Sequence, residues 1–156
     1  MEDHGHELDS PPWQRVDGTL MAVARAIRQT YESGLQSLGL SLPEASLLAF
    51  VLETGPISQS EIASRLDAGR AATGLRIDGL ERRALVRRQP HPTDRRVWLV
   101  EITEGGRPLV DQVNAIDREI RTRLRSGITR EQRLQLAEVL LQIQHNASLL
   151  GDHPGD

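Results

Sequence analysis

Apolar residues recur at helical spacing along residues 13–38, where Val16, Leu20, Val23, Ala24, Ile27, Tyr31, Leu35 and Leu38 share one stripe. This predicts a first helix, ended by Gly39-Leu40-Ser41. Pro43, at a first-turn position, opens a second helix over 43–53, apolar at Ala45, Leu47, Leu48, Val51 and Leu52 and broken by Gly55-Pro56. Ser58 followed three residues later by Glu61 is a capping box, and it starts a short helix over 58–66 that buries Ile57, Ile62, Ala63 and Leu66. After a turn at 67–69, a fourth helix is expected over 70–84 with its core stripe at Thr73, Ile77, Leu80 and Ala84.

The period then changes from helical to alternating. Residues 86–90 and 97–102 read as two strands around a polar turn at 91–96, with Val97, Leu99 and Glu101 on one face and Trp98, Val100 and Ile102 on the other. Thr103 is placed to cap a fifth helix striped by Leu109, Val113, Ile116, Ile120 and Leu124. Gly127-Ile128 breaks it, and Thr129 caps a sixth, apolar at Leu134, Leu136, Ala137, Leu140, Leu141 and Ile143. Polar residues 1–12 and 151–156 read as tails.

Two short helices followed by a hairpin form a winged helix-turn-helix. The fold class is mainly α with a small β-hairpin wing. The expected division is a DNA-binding lobe over 39–106 and a helical dimerisation region from 13–38 and 107–150. In such a lobe the second short helix enters the major groove, and wing arginines reach the adjoining minor groove.

Charge sharpens this reading. All 19 basic residues are arginine, and the net charge is −3. Yet residues 65–96 hold nine arginines against four acids, so that segment is net +5 and the remainder −8. A basic face on an acidic body is what a nucleic-acid binder presents. With Thr73, Ile77 and Leu80 inward, the outward arc of the fourth helix is Ala71, Leu75, Asp78 and Arg82, flanked by Gly74 and Gly79. Arg70 at its start faces base edges or phosphate, and Thr73, although on the core stripe, is also counted among the DNA-binding residues of this helix. Ser58 and Gln59 open the preceding helix, where backbone N–H groups suit phosphate. Arg87 and Arg88 on the first wing strand are phosphate contacts or solvated charges.

Composition excludes several chemistries. There is no cysteine, so no disulfide, thiolate metal site or thiol redox sensor is expected. No apolar run approaches the ~20 residues of a membrane span. The acidic start Met1-Glu2-Asp3 does not read as a signal peptide, and a cytoplasmic, membrane-free protein is expected. His4, His6, His91, His145 and His153 form no ligand set, so neither metal nor cofactor is anticipated. No nucleophile elbow, phosphate-binding glycine loop or paired His and acid is present, and an enzyme is not expected.

The order of these pieces resembles the MarR family of transcriptional regulators. The resemblance spans residues 15–148 and rests first on the wing signature Asp94-Arg95-Arg96, Leu99, Ile102-Thr103 and Gly106. Gly39-Leu40-Ser41, the run from Glu61 to Leu66 and the run from Asp78 to Val86 support it. It implies a homodimeric repressor, each subunit offering one winged helix to a half-site of an inverted-repeat operator in double-stranded DNA. It also implies that one of Arg95 and Arg96 enters the minor groove, steadied by an ion pair with Asp94.

Four positions depart from the family pattern. Gly74 and Leu75 stand where Ser or Thr and Arg are usual, and Arg76 where an apolar residue is usual. Base reading is therefore expected to fall to Arg70 and Arg76, with Ala71 or Leu75 on thymine methyls. Ala84 replaces a glycine of positive φ, which implies strain or an altered helix end. The family's effectors are small aromatic or phenolic acids, metals or oxidants. For an organic effector the expected lining is Trp13, Arg15, Tyr31 and Phe50. The competing function is a winged-helix module that binds protein without specific DNA binding.

Overall fold

The computed structural model describes residue 11 and residues 15–151. Trp13 and nearly all of both tails lie outside them. The helices are α1 (Val16–Leu35), continued by a single 3-10 turn, α2 (Leu42–Thr54), α3 (Gln59–Arg65), α4 (Arg70–Arg82), α5 (Arg107–Leu124) and α6 (Arg130–Gly151). The strands are β1 (Ile57–Ser58), β2 (Val86–Pro90) and β3 (Trp98–Ile102).

Two compact units divide the chain, the first ending at Ile120 and the second starting at Arg121. In the first, Leu47 and Leu48 of α2, Ile62 of α3, Ile77 and Leu80 of α4, Val86 and Val100 of the sheet and Val110 of α5 form one buried cluster. Each such side chain contributes about 1.5–3 kcal/mol by leaving water. In the second unit α6 has no buried side chain among those described. Its Leu134, Leu136, Val139, Leu141 and Leu149 are all exposed.

Caps set most helix boundaries. Ser41, which sequence reading passed over, accepts from the Glu44 N–H while Glu44 accepts from the Ser41 N–H, so α2 opens on a capping box of its own. The expected box at Ser58 and Glu61 is present, with Ser58 Oγ donating to Glu61 Oε2 at 2.5 Å. These bonds, the hydroxyl's first, hold the Glu61 carboxyl below its ordinary pKa. A depressed carboxylate pKa contributes stability that is complete above the unfolded value of about 4.3 and is lost as pH falls through the lower folded value. Ser58→Ala is therefore expected to cost about 1 kcal/mol at neutral pH. The gap from wild type should narrow below pH 4, which urea titrations at pH 7 and pH 3 would read.

Two helix ends adopt the left-handed turn without glycine. After α4, Ala84 sits at φ 55°, its N–H donates to Glu81 O at 2.8 Å, and the Leu85 N–H donates to Leu80 O at 3.0 Å. This pair of bonds is the Schellman motif, which normally takes glycine at that residue. The expected strain at Ala84 is thus real. Ala84 is also exposed, which removes it from the predicted core stripe. Ala84→Gly is expected to stabilise the fold by about 1 kcal/mol and raise Tm by about 3 °C, measurable by calorimetry. Asp67, at φ 47°, ends α3 in the same way, its side chain being one that tolerates the conformation.

The sheet is antiparallel in the order β1-β3-β2. Val86 pairs with Ile102 and Pro90 with Trp98, as the hairpin reading required. The third strand was not expected. Ile57 and Ser58 pair with Val100 and Leu99, so Ile57 belongs to the sheet and not to α3. The fifth helix also begins later than Thr103, at Arg107. Thr103 still caps the turn that leads into it, its Oγ1 accepting the Gly106 N–H at 3.0 Å and its carbonyl the Arg107 N–H at 3.2 Å, while its hydroxyl donates to Ala84 O at 2.6 Å. The apolar face of that helix differs from the expected stripe as well: Val110, outside it, is buried, and Leu124, within it, is exposed.

Candidate nucleic-acid interface

The outward arc of α4 stands as the spacing required. Ala71, Leu75, Asp78 and Arg82 are exposed, and Leu75 is 72% exposed. Thr73 does not belong to this surface. It is 1% exposed within the core stripe, so it cannot reach DNA, and the expectation of contact is corrected. Its hydroxyl has no hydrogen-bond partner. Arg76 lies on the flank of α4, roughly 140° round from Ala71, and lines a cleft there.

Behind α4 the wing is fastened to the helix by charge. Arg88 on β2 donates to Asp78 Oδ1 at 2.6 Å and to Glu81, whose other oxygen accepts the Arg88 N–H at 3.0 Å. Burial alone would lower the Arg88 pKa, but these hydrogen bonds outweigh it and the net direction is upward. The guanidinium stays charged and ties helix and hairpin together. Arg87 is paired with Glu101 across the strands, and Gln89 Nε2 donates to the same carboxylate at 3.2 Å. Both arginines of β2 are thus compensated by acids.

The wing tip is built differently. The His91 N–H donates to Val97 O at 2.9 Å, and His91 Nδ1 accepts from the N–H groups of Thr93 and Asp94, each at 3.3 Å. Asp94 Oδ1 accepts the Arg96 N–H at 3.0 Å. The expected ion pair between Asp94 and a wing arginine is absent among the described residues. Asp94 instead shapes the turn through the backbone, as an Asx turn does. Arg95 and Arg96 are both exposed, and neither carries an ion pair among the described residues.

The root of the wing explains the Thr-x-x-Gly spacing. The Thr103 N–H donates to Leu85 O at 3.1 Å, and the Gly106 N–H donates to Thr103 Oγ1 at 3.0 Å. A Cβ on Gly106 would stand 2.2 Å from Leu85 O. Only glycine lets the start of α5 approach the exit of α4 this closely.

The helix α3 residues are also engaged. Ser58 is spent on its cap, and Gln59 Nε2 donates to Arg70 O at 3.2 Å. Arg83 donates to the carbonyls of Leu38 and Gly39, satisfying the end of the 3-10 turn after α1. Trp98, which sequence reading did not single out as a site residue, is 54% exposed on β3.

The predicted effector residues do not assemble. Tyr31 donates to Asp117 Oδ1 at 2.8 Å, and Phe50 packs on the core. Arg15 is half-buried near the start of α1, and Trp13 lies outside the described residues. A cleft of about 430 Å³ is instead lined by Arg28 of α1, Pro43 and Ser46 of α2, the turn before α4, and Thr73 and Arg76 of α4. Helical spacing could have found Arg76 on that flank. Nothing local in the sequence links it to Arg28.

Residues 40–98 match the family model described as MarR family. The HTH-type transcriptional repressor MdtR of Bacillus subtilis (strain 168) is 28% identical over 129 residues, 83% of each chain. The structure of CouR from Rhodococcus jostii RHA1 bound to p-coumaroyl-CoA is similar at a TM-score of 0.78 and 26% identity, covering 86% of this chain and 95% of that one. The MepR–DNA complex of S. aureus has the same fold, at a TM-score of 0.77 and 19% identity over 84% of this chain and 97% of that one.

Proposed function

We propose, for a chain that belongs to the MarR family of winged-helix DNA-binding transcriptional regulators, that it is a homodimeric repressor acting on a pseudo-palindromic operator in the cytoplasm. The observation that carries this reading is the wing tip. Arg95 and Arg96 are exposed and without acidic partners on a hairpin whose other arginines are paired. Unpaired guanidinium groups beside an exposed helix arc suit a minor groove next to an occupied major groove. The lobe over 39–106 supplies the contacts, from Arg70, Ala71 and Leu75 on α4 and from the wing.

Exposed apolar residues support the dimer. Val16, Met21 and Val23 on α1, and Leu134, Leu136, Val139, Leu141 and Leu149 on α6, are large side chains left in water within one chain. A second copy removes them from it. Residues 13–38 and 107–150 would form that dimerisation region.

The cleft supports control by a small organic acid. Arg28 and Arg76 carry no ion pair among the described residues, and Ser46 of α2 lies on the same lining. This set fits a carboxylate or phenolate, and the volume is that of a small-molecule site. CouR, with its bound p-coumaroyl-CoA, makes an aromatic acid or its thioester a reasonable first class to screen. Such a ligand releases DNA only if it prefers a lobe position that DNA does not.

Selection from a random duplex library at two salt concentrations tests the function. An enriched inverted repeat with half-sites about 10 bp apart is expected. Salt-sensitive binding without a motif would replace the operator reading with non-specific coating. No binding at low salt would favour a protein-interaction module.

A further inference from the structure

Resting on the DNA-binding reading above, we propose that Gln59 of α3 reads an adenine in the major groove, and that Gly74 is what admits it there. The proposal begins from a deficit on α4. Its exposed arc is short of free polar groups. Ala71 and Leu75 are apolar, Asp78 is occupied by Arg88, and Arg82 Nε donates to Asp78 O at 3.3 Å. Such an arc can touch thymine methyls, and only Arg82 at its far end keeps N–H donors, so the arc has no side chain that offers a donor and an acceptor together to a base edge.

The missing polar pair lies beside the arc on the neighbouring helix. Gly74 falls on the row Ala71-Gly74-Asp78, three and four residues apart. A Cβ on Gly74 would stand 2.9 Å from Gln59 Nε2 and 3.6 Å from both Cδ and Oε1. Near-equal distances to Cδ and Oε1, with Nε2 closer, mean that the carboxamide lies across the glycine. A serine or threonine at this position would displace it. Absence of a side chain at 74 and presence of a glutamine at 59 are therefore one feature.

Counting hydrogen bonds shows what the amide has left. A glutamine side chain offers two N–H donors and two acceptor positions on its oxygen. One N–H is given to Arg70 O at 3.2 Å. One donor and the oxygen remain in one plane, and they stand side by side when the N–H anti to the oxygen is the one given to Arg70. Adenine presents N7 as acceptor and N6–H2 as donor in the major groove, the complement of that pair. Guanine presents two acceptors, so Gln59 Oε1 would face O6 with no proton between them. The bond to Arg70 O and the glycine floor hold the amide in place before binding, which lowers the ordering cost. The methyl of the paired thymine lies in the same groove as Leu75 and Ala71, the two apolar side chains of the arc.

The test uses the full-length protein and the operator enriched by the selection above. Gln59→Ala is expected to abolish adenine preference at one position of each half-site, with about a tenfold loss there. Preferences elsewhere and the salt slope should be unchanged. Gly74→Ser should lose preference at that same position. An operator carrying deaza-adenine without N7 there should bind wild type about tenfold more weakly and bind Gln59→Ala no differently. Thermal melts of both variants check that they fold.

If Gln59→Ala weakened all sequences equally, or if wild type ignored the loss of N7, Gln59 would be only a brace between α3 and α4. Failure of wild type to enrich any motif would sink the operator reading itself, which is a separate result.

Discussion

Replacing Arg95 and Arg96 together by alanine is expected to lower affinity for operator DNA about a hundredfold at physiological salt, at roughly tenfold per guanidinium. The slope of log K against log salt should flatten by about one for each arginine that had neutralised a phosphate. Both consequences follow from the wing tip, where the two groups are exposed and have no acid to compensate them. Their charge is available in full to DNA, whereas that of Arg87 and Arg88 is largely spent on Glu101, Asp78 and Glu81. Arg87→Ala should accordingly cost much less. Loss at the tip should be shared by all sequences, because a minor-groove guanidinium reads groove shape and potential more than base identity. Neither side chain supports the fold, so the double variant should melt within about 0.5 kcal/mol of wild type. Fluorescence anisotropy across a salt series, with a melt beside it, separates the two effects. Unchanged affinity would remove the wing from the interface.

Gly106→Ala is expected to destabilise the protein by about 3 kcal/mol, at the upper end of overpacking costs, and to lower Tm by about 10 °C. The new methyl would meet Leu85 O at 2.2 Å and the Leu85 carbonyl carbon at 3.0 Å. These are backbone atoms and cannot rotate away. Leu85 O is also the acceptor that the Thr103 N–H and hydroxyl share. Moving it breaks the joint between α4, the wing and α5 at once. Thr103→Val, which removes the hydroxyl without adding bulk, should cost only about 1 kcal/mol. A Gly106→Ala loss no larger than that would mean the chain relaxes around the methyl more easily than the geometry allows. Chemical denaturation of the two variants decides it.

Elements with strong local signals were legible from residues alone. The capping box at Ser58, the core stripe Thr73, Ile77 and Leu80, and the two strands of the hairpin with their turn each depend on neighbours a few positions away. Less legible was anything needing a distant partner. Asp94 was expected to hold an arginine by charge, yet two residues of separation favour its bond to the Arg96 N–H. Ser58, read as a cap, was also offered with Gln59 as a backbone N–H site for phosphate, and its N–H is taken by Glu61 Oε2 at 3.2 Å. The strand at Ile57 and Ser58 is two residues long, too short for any alternation to show, and exists because Val100 and Leu99 lie alongside.

By itself the sequence determined the element order, the apolar faces and the placement of two arginines at the tip of a turn. Periodicity, caps and turn residues act through contacts within one or two helical turns, so composition along the chain suffices to state them. Tertiary structure decided which of the polar groups remain available. It set Arg88 against Asp78 and Glu81, laid the Gln59 amide over Gly74, and brought Arg28 and Arg76 to one cleft. Each of these depends on residues far apart in the chain meeting only when the core closes, and on a charge or hydrogen bond being satisfied there and not in solvent. Function rests on the groups left over, and those can be counted only after the others are paired.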